Sequence, residues 1–393
     1  MRYVALIALL VITVSGCASK KNQPTQKEIA TKQWNAARAD VLHSLARDQY
    51  RTGNFDKCRK TLDEALKLNP ESGKLHALSA KLLIEQGQLE SAERQLALAR
   101  ELEPNEAETE YLSGIIYQRW QRMELALQHY EKASEKAPEE LAYVLARAET
   151  LVMLDRHEQA LALLKEKMAQ FEYSAIIRDA AGQILMQMGR FDRAVDLLRH
   201  AVMLADDEPT IKEHLALALY YNRDYREAAD LLTRLVALER FSNRADLYVA
   251  LAESQIQIGR MVDARRSFET ASQLNPASAT VWLGLAKTAL QLGDIKRAEL
   301  SLKKAISIDA ANAEAHLLFG YLHLRHQRMR EALTSFQKAS ALSPSDPVAI
   351  CMIGYVLEKM GETEQAIQQY ARALQLKPGD ELASRLMASV DRD

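Results

Sequence analysis

Residues 279–312 read ATVWLGLAKTALQLGDIKRAELSLKKAISIDAAN, and this 34-residue stretch decides the fold. Apolar residues recur every three or four positions in both of its halves, which indicates two amphipathic helices. Gly293 separates the two halves. Glycine ends a helix readily because it tolerates the left-handed backbone conformation. The stretch therefore predicts a helix, a tight turn and a second helix.

The same pattern recurs with a period of 34 residues along most of the chain. Prolines mark the period at Pro70, Pro104, Pro138, Pro276, Pro344 and Pro378. With proline at position 32, ten repeats begin at residues 39, 73, 107, 141, 175, 209, 245, 279, 313 and 347. The step from 209 to 245 contains two extra residues. We expect the array to bend or soften there, with proteolysis starting near residues 241–244.

When the ten repeats are aligned in this register, several positions hold the same type of residue in nearly every repeat. Position 8 is Ala or Gly in all ten repeats, and position 20 is Ala in all but the first, which has Cys58. Position 24 is large and apolar or Tyr throughout. Antiparallel helices approach closely only where side chains are small. Positions 8 and 20 are therefore predicted to lie where the two helices of a repeat cross, with position 24 filling the remaining space.

These columns resemble the tetratricopeptide family over residues 39–380. The resemblance implies an all-α fold, a right-handed superhelical solenoid of about ten 34-residue helix-turn-helix repeats. Repeats four to six depart from the pattern, because Glu172, Asp206 and Arg240 replace the proline. In this family the first helices line a concave groove, and positions 2, 5, 9, 12 and 13 contact peptide ligands.

The first residues have the form of a secretory signal. Arg2 precedes an apolar run over residues 3–14, which is too short to span a bilayer. Val14-Ser15-Gly16-Cys17 then resembles the lipobox of bacterial lipoproteins. The resemblance implies a signal peptide over 1–16 and a lipid on Cys17. Because Ala18 is not Asp, it also implies the outer membrane, facing the periplasm. The alternative is an ordinary secretory signal with a chance cysteine.

Short segments flank the repeats. Residues 17–24 form a polar tether, and Thr25 with Glu28 forms a capping box that predicts a helix over 25–38. At the other end, residues 381–393 are predicted to form a capping helix. Leu382, Leu386 and Val390 would cover the exposed face of the last repeat.

Composition argues against several function classes. The 51 basic and 53 acidic residues give no basic excess, which argues against nucleic acid as a partner. No metal, nucleotide or hydrolase motif is present, and the segments outside the repeats are too short for an enzyme domain. His316, His323 and His326 share one helix but are interpreted as packed aromatics. Cys58 and Cys351 are interpreted as packed thiols. We therefore predict no catalysis, cofactor, metal site or small-molecule substrate.

Apolar and aromatic residues stand at the groove positions of the last three repeats. Leu283 and Leu317 occupy position 5, and Tyr321 and Tyr355 occupy position 9. They predict a ladder that binds peptide segments or helices of another protein, unless neighbouring helices cover it. A second aromatic cluster, Tyr220 and Tyr221 beside His214, stands in repeat six.

The sequence thus predicts a non-catalytic scaffold, anchored to the membrane by its N-terminal lipid, that binds other proteins. It is similar in design to the repeat lipoproteins that act as pilotins or assembly factors for Tad and type IV pili. Two alternatives are an adaptor for exopolysaccharide export and a scaffold that organises peptidoglycan hydrolases or synthases.

Overall fold

The computed structural model describes residues 25–390, apart from the side chain of Val390. The chain divides into two compact units, one ending at Arg156 and one beginning at His157. Within the described residues every regular element is helical, which confirms the all-α repeat fold. The first unit contains α1 (Gln26–Arg51), α2 (Phe55–Leu68), α3 (Gly73–Glu85), α4 (Leu89–Leu102), α5 (Ala107–Arg119), α6 (Met123–Lys136) and α7 (Leu141–Met153).

The second unit contains fourteen α-helices and one short 3-10 turn at Glu239–Phe241. The helices are α8 (His157–Lys167), α9 (Ala175–Gln187), α10 (Phe191–Leu204), α11 (Pro209–Tyr221), α12 (Tyr225–Val236), α13 (Ala245–Gln257), α14 (Met261–Leu274), α15 (Ala279–Gln291), α16 (Ile295–Ile308), α17 (Ala313–Arg325), α18 (Met329–Leu342), α19 (Pro347–Lys359), α20 (Thr363–Leu376) and α21 (Glu381–Val390). In the predicted register every first helix ends at position 13 and every second helix begins at position 17.

The turn between the helices of each repeat has one residue in the left-handed conformation, at position 15. Six repeats place glycine there, with φ between +69° and +83°. The other four place Gln121, Asp155, Arg223 and Gln327 there, with φ between +58° and +68°. The sequence revealed six of these turns through their glycines. The remaining four adopt the same backbone because the two helices they join must pack in the same way.

The core of a hairpin is built around positions 8 and 24. In repeat nine the ring of Phe336 lies over Gly320, so that a Cβ on this glycine would stand 2.5 Å from the ring. Tyr130, Leu198 and Tyr370 cover the position-8 glycines of their own repeats in the same way. In repeat seven position 8 is Ala252, and the ring of Phe268 lies against Gly284 of the next repeat instead.

The N-terminal helix begins as predicted but does not stop before the first repeat. Thr25 caps α1, and both hydrogen bonds of the capping box to Glu28 are present. The helix then runs for 26 residues to Arg51, through the predicted boundary at residue 38. No Gly or Pro stands between residues 26 and 51 to interrupt it.

The C-terminal helix faces the array with a different set of residues from the one predicted. Leu382 is 38% exposed, whereas Ala383 is buried. Leu386 and Met387 pack against the core of the last repeat. The packed face therefore follows 383, 386 and 387, an i, i+3, i+4 pattern. Of the predicted stripe, Leu386 is packed and Leu382 is exposed, while the side chain of Val390 lies outside the described residues.

The two-residue insertion is packed, contrary to the predicted softening. It is accommodated where α12 ends early, at Val236, and the 3-10 turn follows. Phe241 at the end of this turn is 2% exposed. Arg244 then forms ion pairs with Glu213 Oε1 at 2.9 Å and with Asp246 Oδ2 at 2.6 Å. The insertion thus adds a buried ring and two ion pairs to the junction between repeats six and seven.

The predicted signal peptide, the lipid-attachment residue Cys17 and the tether lie outside the described residues. Among the helices of residues 25–390, none combines the length and the apolar character needed to cross a bilayer.

Candidate protein-binding groove

The first helices of repeats six to eight enclose a cleft in the second unit. This cleft, called the central groove below, has a volume of about 390 Å³. Its lining residues come from α11, α13, α15 and the turn before α15: Leu217, Tyr220, Tyr221, Ala245, Asp246, Val249, Ala250, Asn275, Ser278, Thr280 and Val281. Most of them stand at the groove positions of the register, so the regular stacking of hairpins is what places them together.

The predicted tyrosine cluster forms one wall of the central groove. The rings of Tyr220 and Tyr221 meet edge to face, with centroids 5.0 Å apart. Tyr221 stacks on Phe191 and keeps 52% of its surface exposed. The Tyr220 hydroxyl donates a hydrogen bond to a carboxylate oxygen of Glu253. Burial and this hydrogen bond both raise the pKa of Tyr220.

The lining of the central groove contains one charged residue, Asp246. Asp246 lies in the lining and is held by the guanidinium of Arg244, and this hydrogen bond lowers the pKa of the Asp246 carboxyl. Asn275, Ser278 and Thr280 add an amide and two hydroxyls. Such groups can bond to the N–H and C=O groups of a peptide backbone. The groove therefore offers an exposed aromatic surface beside several hydrogen-bonding groups and one ion-paired carboxylate.

His214 lies next to this region but is held in an ion pair. Its Nδ1 stands 2.7 Å from a carboxylate oxygen of Asp179, on the first helix of the preceding repeat. Burial lowers the pKa of His214, but the hydrogen bond and the charge of Asp179 outweigh it, so the pKa is raised. His214 was identified from the sequence. Asp179 and Glu253 were not, because their contacts depend on stacking between repeats.

The predicted ladder of the last three repeats is not continuous. Leu283 is only 7% exposed and packs with Ala286 and Leu302, so it presents little surface to a partner. Leu317, Tyr321 and Tyr355 are half-buried and pack together against a different cluster, the core of the last two repeats. The ring of Tyr321 meets that of Phe336 edge to face, with centroids 5.4 Å apart. These three residues can contact a partner only through their outer edges.

A second groove lies in the first unit and has a different character. It has a volume of about 550 Å³ and is lined mainly by charged side chains. Lys81 Nζ there lies 2.9 Å from Glu108 Oε1, joining position 9 of one repeat to position 2 of the next. The same pairing recurs in the second unit, where Lys287 Nζ lies 2.7 Å from Glu314 Oε1. Each pair links the first helices of two neighbouring repeats, and because both pairs are partly exposed, each contributes at most about 1 kcal/mol.

The histidines of α17 do not gather into a metal site. His316 is buried, with Nε2 3.0 Å from the carbonyl oxygen of Ala310. His323 packs edge to face against Phe319. His326 is exposed at the helix end. Across residues 25–390, no group of His, Cys, Asp or Glu side chains has the arrangement of a metal centre. Cys58 and Cys351 are both buried free thiols, in agreement with packed residues.

Family models match three parts of the chain. Tetratricopeptide-repeat models match residues 49–113 and 177–208. A model of the C-terminal domain of cilia and flagella-associated protein 70 matches residues 212–391. A search of curated proteins gives no significant match.

Solved structures of other proteins align with parts of this chain. The C-terminal part of a TPR repeat-containing protein from Cytophaga hutchinsonii aligns with a TM-score of 0.51 and 17% identity, over 62% of this chain and 99% of that one. YrrB, a TPR protein with an unusual peptide-binding site, aligns with a TM-score of 0.42 and 19% identity, over 48% of this chain and 96% of that one. MamA aligns with a TM-score of 0.40 and 19% identity, over 42% of this chain and 95% of that one. Proteins of the tetratricopeptide family generally mediate protein–protein interactions, and they are typically non-catalytic. The matched segments and the hairpin geometry together show that this chain has the all-helical fold of a tetratricopeptide-repeat protein.

Proposed function

We propose that the protein is a non-catalytic scaffold that binds another protein in its central groove and is held at a membrane by a lipid on Cys17. The observation that carries the binding role is the exposed ring of Tyr221, fixed beside hydrogen-bonding groups in a cleft of about 390 Å³. Rigid aromatic side chains in grooves often supply much of the binding energy of an interface.

The groove suits an extended or helical segment with one apolar and one basic side chain. The apolar side chain would lie against Tyr221 and Val249, and the basic one would approach Asp246. Arg244 is bonded to both Glu213 and Asp246, so a basic side chain of the partner would share the Asp246 carboxylate with Arg244. Leu317, Tyr321 and Tyr355 would extend the contact surface through their exposed edges.

The cellular role that we propose is assembly of a pilus or secretion complex at the outer membrane of a Gram-negative bacterium, on the periplasmic side. The lipobox-like residues 14–17, the absence of Asp at position 18 and the repeat architecture support it. Export of exopolysaccharide and organisation of peptidoglycan enzymes are the two alternatives. A secretin and pilus ATPase, a polysaccharide synthase or a wall hydrolase encoded nearby would distinguish the three.

Site-specific photo-crosslinking in cells tests the binding role. A photoreactive phenylalanine derivative at Tyr221 is expected to crosslink to a component of the assembly machinery. Val262, exposed on the second helix α14, gives a matched control that is expected to remain uncrosslinked. The variant Tyr221→Ala is expected to weaken binding of the crosslinked partner about tenfold or more, with helicity unchanged. Equal crosslinking at both positions, or unchanged affinity of the variant, would refute binding in the central groove.

The anchor is tested separately. The wild-type protein is expected to incorporate radiolabelled palmitate and to fractionate with the outer membrane. Cys17→Ser is expected to lose the label. Incorporation of palmitate into Cys17→Ser would show that the lipid is attached elsewhere.

A further inference from the structure

The first helix carries a second apolar face that no other described element covers. Ala39 and Ala46 of α1 are buried in the first repeat. On a different side of the helix, Trp34, Val41 and Leu45 are 66%, 70% and 49% exposed. Few large apolar side chains in the described residues have a greater exposed fraction than Trp34 and Val41.

The exposed residues form one continuous row. With the exposed residues Ala30 and Ala37, they follow i, i+4, i+7, i+11 and i+15, which places all five on one side of an α-helix. At a rise of 1.5 Å per residue, the row is about 22 Å long. We call these five residues the outer stripe.

A terminal repeat in a solenoid needs a polar outer face, or a covering element, to stay soluble. At the C-terminal end, α21 supplies such a cover through Ala383, Leu386 and Met387. Among the described residues, no element covers the outer stripe in this way. Contact of a row of this length with water is unfavourable, so a covering surface is expected.

We propose that the outer stripe lies on the surface of a lipid bilayer, the one into which the lipid on Cys17 is inserted. The inference rests on the proposed lipid attachment. Residues 18–24 are all that separates Cys17 from Thr25, and seven residues reach at most about 25 Å when extended. A bilayer that holds Cys17 is therefore within reach of α1, whereas a diffusing partner gains no such proximity.

The charge and residue types of this segment fit a lipid surface. Residues 18–38 contain five basic side chains and one acidic one, in a chain whose net charge is −2. Lysine and arginine near a membrane surface are attracted to anionic headgroups. Tryptophan is favoured at the boundary between headgroups and acyl chains because its ring is apolar and its N–H polar. An amphipathic helix with these properties lies in the plane of the interface.

Tryptophan fluorescence provides a direct test. The lipidated full chain carrying Trp120→Phe and Trp282→Phe keeps Trp34 as its single tryptophan. It would be reconstituted into vesicles of phosphatidylethanolamine and phosphatidylglycerol that contain spin-labelled lipid. We expect Trp34 emission to shift to shorter wavelength and to be quenched about twofold, as for an interfacial helix. A chain that keeps Trp282 as its single tryptophan is expected to show neither effect.

Variants of the stripe provide the matched comparison. Val41→Ser with Leu45→Ser is expected to abolish the quenching of Trp34. Val262→Ser with Leu300→Ser, at residues 47% and 58% exposed on second helices of the second unit, is expected to leave it unchanged. Circular dichroism checks that both pairs remain folded.

The possible outcomes distinguish failure of the proposed membrane contact of the outer stripe from failure of the proposed lipid anchor. Mass spectrometry of the N-terminal peptide reports the lipid independently of the fluorescence. A lipidated, vesicle-bound chain with unquenched Trp34 overturns the proposed contact and leaves the anchor in place. Quenching without a lipid on Cys17 supports the contact and removes the anchor. Absence of both lipid and vesicle association overturns both.

Discussion

The ring of Phe336 lies over Gly320 so closely that a Cβ at this glycine would stand 2.5 Å from a ring carbon. Gly320→Ala is therefore expected to lower the free energy of unfolding by about 1 to 3 kcal/mol, because the ring must move within a packed core. Chemical denaturation followed by circular dichroism measures the change.

Five other repeats pair Ala at position 8 with Leu at position 24, for example Ala286 with Leu302. The double change Gly320→Ala with Phe336→Leu reproduces this pair, so it is expected to recover part of the loss. A double variant less stable than Gly320→Ala alone would show that the two positions do not compensate each other.

Position 15 of the ninth repeat holds Gln327 at φ +58°. A non-glycine residue in this region is strained by about 1 kcal/mol or slightly more, so Gln327→Gly is expected to raise stability by about that amount. Gly361→Ala, at φ +83° in the next repeat, is expected to lower it. Thermal unfolding midpoints of the two variants would shift in opposite directions; shifts of the same sign would contradict this explanation.

Phe241 fills the junction created by the two-residue insertion. Truncation of a buried phenylalanine to alanine typically costs about 3 to 5 kcal/mol, and a loss of this size is expected for Phe241→Ala. Phe55→Ala, at a ring that is partly exposed, serves as the control with a smaller effect. Limited proteolysis is expected to spare residues 241–244 in the wild type and to cut there in Phe241→Ala. Early cleavage of the wild type would restore the softening predicted from sequence.

The pair of His214 and Asp179 makes stability depend on pH. Because the folded-state pKa of His214 is raised, its contribution is fully present below the unfolded value of about 6.5 and is lost as the pH rises through the folded value. The melting temperature is expected to fall between about pH 6 and about pH 8 by more in the wild type than in His214→Gln. Equal slopes in the two proteins would show that the pair does not contribute.

Repetition made much of this fold predictable. The turn between the two helices of a repeat was located by a register that ten copies of one pattern determine together, and in all ten repeats it lies between positions 13 and 17. The predictions that were wrong concern the two terminal helices, which have no counterpart in other repeats. α1 continues through residue 38 because nothing in its sequence stops it. α21 packs Ala383 against α19 and α20 of the last repeat, a contact that no other repeat could reveal.

The binding surface was harder to predict than the fold. Position 5 places a side chain near the groove, but its exposure depends on the neighbouring helices. Leu283 is buried in a cluster with Ala305 and Ala315, whereas Leu317 is partly open. The tyrosines of repeat six were found from sequence, but the carboxylates of Asp179 and Glu253, which hold neighbouring side chains, come from adjacent repeats. The residues found at one repeat position do not reveal such contacts between adjacent repeats.

The side chain of Phe268 has a consequence for how this array can change during evolution. Arrays of this kind gain and lose whole repeats by recombination, and a hairpin whose core is closed within itself survives such exchange. Repeat seven is different, because the ring of Phe268 occupies the space left by Gly284 in repeat eight. Deletion of repeat eight would bring Leu318 to the place of Gly284 and leave no room for the ring. We therefore expect repeats seven and eight to be gained or lost only together.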